Sequence, residues 1–385
     1  MFEERTQKLK ARLVEDGLEI ALITDDDSVY YFSGFYDYLH MDFGRPTILV
    51  VSAQGAPILV TPTIELEMAQ RMTWIEDIRA WQDGEGSEWR GDLQHLIEAV
   101  GSAAIGIERG TMPSLVRDFV DHVVTNSNLT DITSLIAELR MIKSDEELQL
   151  ARHSGQVAMA MMTAGRDAIR EGVPEYEVAL ATAEAGARSA AELLTDNYDD
   201  DWMSPNTHFL QIMASGSNIT MAHRRPTLRQ ITRGDPVFLC FCGMANFHRF
   251  KLGFDRTFWL GEIQDSRQAE IYEVAVASQR AALEHVRPGM LAEEVHAAYA
   301  EVIQTAGYDY PFRCGRATGF SFLERPQLVA GDQTVLEPGM VFAVDGSVSV
   351  AGYFRAQVGD SVVVTENGYE PITEFPKTIN EVVVG

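Results

Sequence analysis

One histidine occupies a position where its side chain could transfer protons. His223 lies in NITMAHRRPTLRQITRGD, just past an apolar strand and before the turn into the next strand. Imidazole is the side chain best matched to proton transfer near neutral pH. His223 is therefore a candidate acid and base, although a surface histidine in a loop is the simpler interpretation of its position alone.

Two aspartates interrupt apolar strands. We predict a strand over residues 250–260, whose alternation places Gly253, Asp255 and Thr257 on one face. A buried aspartate costs on the order of several kcal/mol unless it is paired, so a structural ion pair with a nearby arginine is one interpretation of Asp255. Asp345 lies in the strand MVFAVDGSV. Two carboxylates on facing strands could hold a substrate cation, whereas the oxygen ligands that a hard divalent metal needs are not assembled here.

Arginines and cysteines complete the set of candidate residues. Arg316 and Arg325 lie in CGRATGFSFLERPQL, and Arg45 lies in YLHMDFGRPTILVV. Because the guanidinium fork matches a carboxylate, each could bind an acidic substrate group, or each could be a solvated loop arginine. Cys240 and Cys242 alternate onto one strand face. A single C-x-C pair is a weak metal motif, so we predict buried, inert thiols.

The elements that must position these residues fall into two regions. Residues 1–132 alternate helices and strands, with a hairpin turn at 53–55, and predict a mixed α/β domain. Residues 133–385 contain helices in pairs followed by antiparallel strands, a pattern typical of an α+β domain. Ser144 and Glu147 fit a capping box at the start of a long helix.

Length and composition restrict the function classes. A chain of 385 residues is long enough for two domains. The net charge of −26 argues against nucleic acid as a partner, because its phosphates would be repelled. We find no apolar run long enough for a membrane helix, and MFEERTQKLKARL predicts a charged helix rather than a signal peptide. The three cysteines fit a reducing compartment, and we expect a cytoplasmic protein without membrane contact.

Several segments, taken in order, resemble the creatinase and prolidase/methionine-aminopeptidase superfamily. They are ELRMIKSDEEL, HRRPTLRQITRGD, FDRTFWLG, and LEPGMVFAVDG with GDSVVVTENGYEPIT. Together they span about residues 140–375, and the ordered set is far more specific than any one segment. The resemblance implies an α+β protein, with a pita-bread catalytic domain preceded by a smaller mixed α/β amino-terminal domain.

The peptidases of that superfamily bind metal through five ligands, and the resemblance implies that every ligand is replaced here. The aligned residues are Cys240, Gly253, Arg316, Asp345 and Gly359. Asp345 is the one carboxylate among them, and one carboxylate cannot retain a pair of metal ions. We therefore expect no metal and no other cofactor.

The creatinase branch of the superfamily works without metal, and the resemblance to it extends into the amino-terminal segment VYYFSGFYDYLHMDFGRPTILVV. It implies that Arg45 binds a substrate carboxylate across a dimer interface, and hence a homodimer with a composite site. The other implied residues are His223, Asp255 and Asp345 for catalysis, with Phe43, Arg325 and Arg316 for substrate binding.

We accordingly expect metal-independent hydrolysis of a C–N bond in a small zwitterion that carries a guanidino- or amidine-type group and a carboxylate. Asp255 and Asp345 replace the glutamates of creatinase, and Arg316 replaces a histidine, so the substrate itself stays open. Alternatives are another metal-free reaction on a zwitterionic osmolyte, such as ectoine hydrolysis or an elimination, and a non-catalytic small-molecule-binding protein.

Overall fold

The chain folds into two units, Met1–Arg140 and Met141–Gly385. The domain boundary that the sequence suggested, between residues 132 and 133, stays a prediction. The structure is a computed structural model that describes residues 1–36, 44–84, 86–101, 103–124, 128–198, 200–207, 210, 212–243 and 245–385.

The first unit is built on a mixed six-stranded sheet in the order β4-β3-β2-β1-β5-β6. Its helices and strands are α1 (Phe2–Glu15), β1 (Leu18–Ile23), α2 (Asp26–Ser33), β2 (Ile48–Ser52), β3 (Ile58–Pro62), α3 (Leu66–Met72), β4 (Asp77–Trp81), α4 (Trp89–Val100), β5 (Ala104–Ile107), α5 (Ser114–Val123), β6 (Leu129–Asp131) and α6 (Thr133–Met141). The predicted hairpin is confirmed, since β2 and β3 pair antiparallel around the turn at 53–55.

The second unit packs two pairs of long helices with a curved, nearly all-antiparallel sheet in the order β13-β12-β14-β15-β11-β8-β7. Two short strands extend it, since β16 pairs with β15 and β17 with β11. The elements are α7 (Asp145–Ala168), α8 (Glu175–Asn197), β7 (Ile212–Ser215), β8 (Pro236–Cys240), β9 (Asn246–Phe247), β10 (Phe250–Lys251), β11 (Asp255–Leu260), α9 (Ser266–His285), α10 (Ala292–Thr305), β12 (Arg313–Ala317), β13 (Glu324–Val329), β14 (Val341–Val350), β15 (Phe354–Thr365), β16 (Gly368–Pro371) and β17 (Val383–Val384).

Local sequence accounts for where the first helix of this unit begins. Ser144 accepts a hydrogen bond from the backbone N–H of Glu147, and the Glu147 side chain accepts one from the Ser144 N–H, which completes the predicted capping box. None of the described helices is long and apolar enough to cross a membrane.

One predicted strand is divided in the structure. Residues 250–260 form β10 and β11 with a break between them, so Gly253 lies outside both strands. A Cβ at Gly253 would lie 2.6 Å from the Cβ of Ala343, which is closer than two carbon atoms can approach. The single strand expected over residues 250–260 is therefore interrupted at residues 252–254, and the face shared by Gly253, Asp255 and Thr257 stays a prediction.

Candidate active site

A cavity of about 520 Å³ opens on one face of the sheet in the second unit. Strands β14 and β15 line it with alternate side chains, because successive residues of a strand point to opposite faces. The register pairs Ser347 with Gln357 and Ser349 with Arg355, so these rows face the cavity together with Asp345. The loop at 308–312, which follows α10, supplies an aromatic part of the wall.

His223 also lines this cavity. It follows a short 3-10 turn at Gly216–Thr220 and the end of β7, and its side chain is exposed to solvent. An exposed imidazole at the edge of a cavity can exchange its proton with water. The structure thus brings His223 and Asp345 to one cavity.

Gly359 lies between the two predicted catalytic aspartates. It pairs with Asp345 of β14 on one side and with Asp255 of β11 on the other. A Cβ at Gly359 would lie 2.5 Å from Oδ2 of Asp255 and 2.5 Å from Oδ1 of Asp345. The two carboxylates therefore converge over a residue that has no side chain.

Asp255 is closed off from the cavity. It is 1% exposed, and it is not among the residues that line the cavity. Gln357 covers it, because Gln357 Nε2 donates to Asp255 Oδ2 at 2.8 Å while Gln357 Oε1 accepts from Arg355. Oδ1 of Asp255 has no hydrogen-bond partner among the described residues. Sequence alternation did not predict this cover.

Burial raises the pKa of Asp255 well above its usual value, and the nearby Asp345 carboxylate raises it further. Burial also raises the pKa of Asp345, although Arg316 and Arg313 oppose the shift. Asp345 keeps 16% of its side chain exposed, and Arg316 Nη1 lies 3.5 Å from its Oδ2. Of the two acids, Asp255 has its pKa raised further, because it is buried more deeply and forms no ion pair with a guanidinium among the described residues.

Arg316 is buried beside Asp345, with 3% of the arginine surface exposed. Its guanidinium lies 4.1 Å from the centre of the Phe322 ring, and Nη2 lies 3.7 Å from Cys242 Sγ. A Cβ at Gly253 would be 3.3 Å from Nη2 of Arg316. Arg316 therefore lies next to Gly253, the position that the sequence resemblance gives to a metal-binding aspartate.

Two further arginines line the cavity that the sequence did not single out, Arg313 and Arg355. Arg313 and Arg316 are three positions apart and would point to opposite faces of a regular strand. Register shifts in the pairing of β12 with β13 let both line the cavity. Arg355 alternates with Gln357 and Gly359 along β15, a signal that the sequence contained.

The other predicted substrate-binding residues lie elsewhere. Arg325 is exposed on β13 and is not among the cavity-lining residues, whereas its neighbour Glu324 is buried in a 2.8 Å ion pair with Lys143. Arg45 belongs to the first unit, where its Nε donates to Asp83 at 2.8 Å. Phe43 lies outside the described residues.

Comparison with known families gives two matches on this chain. The model described as Metallopeptidase family M24 matches residues 149–366, and the Creatinase/Prolidase N-terminal domain matches residues 5–142. The expected architecture is therefore confirmed: a creatinase-type amino-terminal domain precedes a pita-bread domain, in an α+β protein.

Individual relatives cover nearly the whole chain. Creatinase from Bacillus sp. (strain B-0618) is 30% identical, over 97% of this chain and 90% of that protein. Agropine synthesis cyclase from Rhizobium rhizogenes is 29% identical over 97% and 96%, and Xaa-Pro dipeptidase from Lactobacillus helveticus is 27% identical over 97% of each. A dipeptidase structure from Pyrococcus horikoshii OT3 superposes with a TM-score of 0.83 at 28% identity, covering 98% of this chain and 99% of that one.

A metallopeptidase family implies a pair of metal ions, and the described side chains bear on that expectation. At the five positions that the sequence resemblance gives to metal ligands, this chain has the glycines 253 and 359 and the guanidinium of Arg316. In the part of the chain that the structure describes, no cluster of three or more His, Cys, Asp or Glu side chains could hold a metal ion. Hard divalent ions need several oxygen ligands, and Asp345 alone cannot supply them.

Proposed function

This chain belongs to metallopeptidase family M24, and from that premise we propose that it hydrolyses a C–N bond in a small carboxylate-bearing zwitterion without a metal ion. One observation carries the proposal: a single cavity gathers His223, Asp345 and the guanidinium groups of Arg313, Arg316 and Arg355. The match to creatinase supports a C–N bond outside a peptide, while the match to Xaa-Pro dipeptidases keeps the peptide bond as the reaction to test against.

The arginines bind the acidic end of the substrate. Nη1 of Arg355 is buried without a hydrogen-bond partner among the described residues, and its guanidinium lies 4.6 Å from the centre of the Phe238 ring. A planar guanidinium held in this way is ready to accept a carboxylate through paired hydrogen bonds. In this proposal Arg355 and Arg313 take the role that the sequence resemblance gave to Arg325.

Asp345 attracts the cationic end of the substrate. The 3.5 Å separation from Arg316 is longer than the roughly 2.7–2.9 Å of a close charge-assisted hydrogen bond, so the carboxylate keeps capacity for a second cation. Asp255 does not face the cavity, because Gln357 covers it, and burial raises its pKa. Three guanidinium groups and two carboxylates, those of Asp345 and Asp309, line the cavity. The excess of one guanidinium suits a substrate that carries a carboxylate as well as a cationic group.

His223 moves the proton. It takes a proton from water as the water oxygen attacks the carbon of the C–N bond, and it returns the proton to the nitrogen as that bond breaks. The arginines and Asp345 hold the substrate at both ends, so that the carbon lies within reach of the activated water. No step requires an oxidant, a reductant or a metal.

A second candidate is ring opening or ring closure within a small molecule. The observation that favours it is the match to a cyclase over 97% of this chain. The same histidine would move the proton, and the same arginines would hold the carboxylate. An elimination on a zwitterionic osmolyte belongs to the same group of metal-free alternatives, and its unsaturated product would identify it.

We also propose a homodimer in which the partner subunit's Arg45 completes the cavity. An isologous interface would build two composite sites at once. In the single chain Arg45 is paired with Asp83, and that pair must open before Arg45 can bind a substrate carboxylate. Mixing an Arg45→Ala chain with a His223→Asn chain tests this, since only a composite site restores activity in the mixed dimer.

The deciding experiment is product analysis by mass spectrometry. The purified protein, treated with a chelator and checked by elemental analysis, is incubated with guanidino acids, cyclic amidines and Xaa-Pro dipeptides. We expect turnover of a small acid and no dependence on added Mn²⁺ or Zn²⁺. Turnover confined to Xaa-Pro dipeptides and restored by metal would contradict the proposal.

The His223→Asn variant tests the mechanism on the substrate so found. A positioned acid and base contributes about 10²–10⁴ in rate, so kcat should fall by that factor while KM changes much less. The matched control is His95→Asn, which replaces an exposed histidine on α4 of the first unit and should leave kcat unchanged. Near-normal turnover of His223→Asn would place the proton transfer elsewhere.

A further inference from the structure

Two cysteines in the cavity have no role in the mechanism proposed above. Cys240 is the last residue of β8, Cys242 follows two residues later, and both line the cavity. Their sulfur atoms lie 2.6 Å apart. The expected burial is therefore observed for Cys240 but not for Cys242, which is partly exposed at the cavity wall.

The backbone permits a bond between the two sulfurs. Cys240 ends β8 and Cys242 lies in the turn that follows, and even a fully extended pair two residues apart would span about 6.6 Å, within the upper range of about 6.8 Å between Cα atoms across a disulfide. The sulfurs need to approach by only about 0.5 Å to reach the S–S bond length of about 2.05 Å. Cys314 offers the internal contrast, because it is buried on β12, bonds to the Leu328 carbonyl and does not line the cavity.

The surroundings divide the two thiols into an attacking and a resolving group. A hydrogen bond from Cys240 lowers the pKa of Cys242 and outweighs the effect of burial, and the Arg316 guanidinium lowers it further. The same hydrogen bond and burial raise the pKa of Cys240. Cys242 is therefore the more readily ionised of the two thiols, and the thiolate is the reactive form of a cysteine.

We propose that Cys240 and Cys242 are a reversible oxidation site that forms an intramolecular disulfide on reaction with a hydroperoxide. The Cys242 thiolate attacks one peroxide oxygen, the O–O bond breaks, and the leaving hydroxide takes up a proton to become water. The Cys240 sulfur then attacks the Cys242 sulfenic acid, the S–O bond breaks, and a second water leaves with the Cys240 proton. A dithiol such as dithiothreitol reverses the reaction by exchange.

Oxidation also changes the cavity itself. It removes the ionisable thiol that Arg316 contacts at 3.7 Å and leaves Asp345 as the carboxylate paired with that guanidinium among the described residues. The closer Arg316–Asp345 pair competes with a substrate cation, so the oxidised form should bind substrate more weakly. This consequence rests on the proposed function, whereas formation of the disulfide does not.

The experiment uses the reduced full-length protein and one equivalent of hydrogen peroxide, followed by denaturation, alkylation and peptide mass analysis. Trypsin cleavage after Arg233 and Arg249 places both cysteines in one peptide, GDPVFLCFCGMANFHR. Before oxidation we expect this peptide to be doubly alkylated. After oxidation it should carry no alkyl group and weigh two hydrogen atoms less than the unalkylated dithiol peptide. Treatment with dithiothreitol before alkylation should restore the doubly alkylated form. The Cys314 peptide should stay alkylated throughout.

Variants distinguish the two thiols. In Cys314→Ser, Cys240 and Cys242 should be oxidised as they are in the unchanged protein. Cys240→Ser should accumulate a sulfenic acid on Cys242 that dimedone traps. Cys242→Ser should react with peroxide at least tenfold more slowly than the unchanged protein. In Arg316→Gln the pH profile of the oxidation rate should shift to higher pH. A peptide that stays doubly alkylated at a peroxide dose that oxidises free glutathione would overturn the proposal, as would equal consumption of Cys314. Both readouts come from the unmutated chain, so they hold even if a variant fails to fold.

Discussion

The two faces of strands β14, β15 and β11 carry buried aspartates that are treated in opposite ways. On the cavity face, Asp255 has one carboxylate oxygen without a partner, and burial raises its pKa. On the opposite face, Asp360 accepts from Arg256 at 2.7 Å, Lys377 at 2.9 Å and Gln279 at 3.0 Å. Burial raises the pKa of Asp360, but the two cations outweigh it and lower the pKa overall.

The difference separates a fully paired structural acid from an acid that is buried with one oxygen unpartnered among the described residues. A buried carboxylate that is fully hydrogen-bonded and paired stabilises one packing arrangement and cannot bind a ligand. Polar groups left incompletely partnered reduce stability, and in native proteins they concentrate at functional sites. The cavity face holds three such groups in Asp255, Arg316 and Arg355. This contrast supports the proposal that the chemistry takes place on the cavity face, although the two faces are one residue apart along the strand.

Removal of the charge of Asp360 should give the largest effect on stability. Asp360→Asn leaves the Arg256 guanidinium buried without its carboxylate, and breaking a buried pair in this way costs about 3–5 kcal/mol. Urea unfolding monitored by circular dichroism measures the change. A loss below about 1 kcal/mol would show that the backbone carbonyls that accept from Arg256, not the ion pairs of Asp360, hold this face together.

The matched change on the cavity face should reverse the pattern. Asp345→Asn should lower kcat/KM by about 10²–10³, the usual cost of removing one electrostatic contact at a reaction centre. Its free energy of unfolding should change by less than about 1 kcal/mol, because the carboxylate is already partly exposed. Comparable stability losses in Asp345→Asn and Asp360→Asn would abolish the distinction between the faces.

A methyl group at Gly359 should act on the cavity face alone. In Gly359→Ala the new Cβ meets both aspartates at 2.5 Å and must push them apart, which we expect to cost about 1–3 kcal/mol. Gly110→Ala is the control, since a Cβ there meets nothing within 4 Å. Thermal unfolding and kcat/KM measure the two effects, and equal behaviour of both variants would show that the carboxylates do not converge over Gly359.

Replacing an arginine that lines the cavity should raise KM, whereas replacing an exposed arginine outside the cavity should not. Arg355→Ala should raise KM by about tenfold to a hundredfold, corresponding to a lost charge-assisted hydrogen bond of about 1.5–3 kcal/mol. Arg325→Ala should leave KM within about twofold, because Arg325 is exposed on β13 and is not among the cavity-lining residues. Substrate titrations of both variants decide, and the opposite ranking would return the carboxylate-binding role to Arg325.

The smallest effect concerns the pH dependence that Asp255 imposes. Its pKa is raised in the folded protein, so its contribution to stability is fully present below its unfolded pKa of about 3.9 and is lost as pH rises through the folded pKa. Asp255→Asn removes this loss, so its stability relative to the unchanged protein should increase from pH 4 to pH 8. Unfolding curves across that range test the sign, and a difference independent of pH would mean that Asp255 is already charged.

Much of the architecture followed from local sequence. The capping box at Ser144 and the hairpin at residues 53–55 depend on neighbouring residues, and the pattern of helix pairs and strands predicted the α+β second unit. The ordered motifs led to His223, Asp345 and Arg316, which the structure brings to one cavity. These are features that short stretches of chain specify by themselves.

Other features were decided by the tertiary structure, because they depend on pairings between distant strands. The register of β14, β15 and β11 places Asp345, Gly359 and Asp255 in one row. Gln357 covers Asp255 from a residue 102 positions away along the chain. Strand alternation fixes which face a residue occupies, but only the packed sheet determines which polar neighbours it meets and how deeply it is buried. The pKa of an acid depends on its polar neighbours and on its burial. The sequence therefore identified the candidate acids, whereas the tertiary structure determines their pKa values.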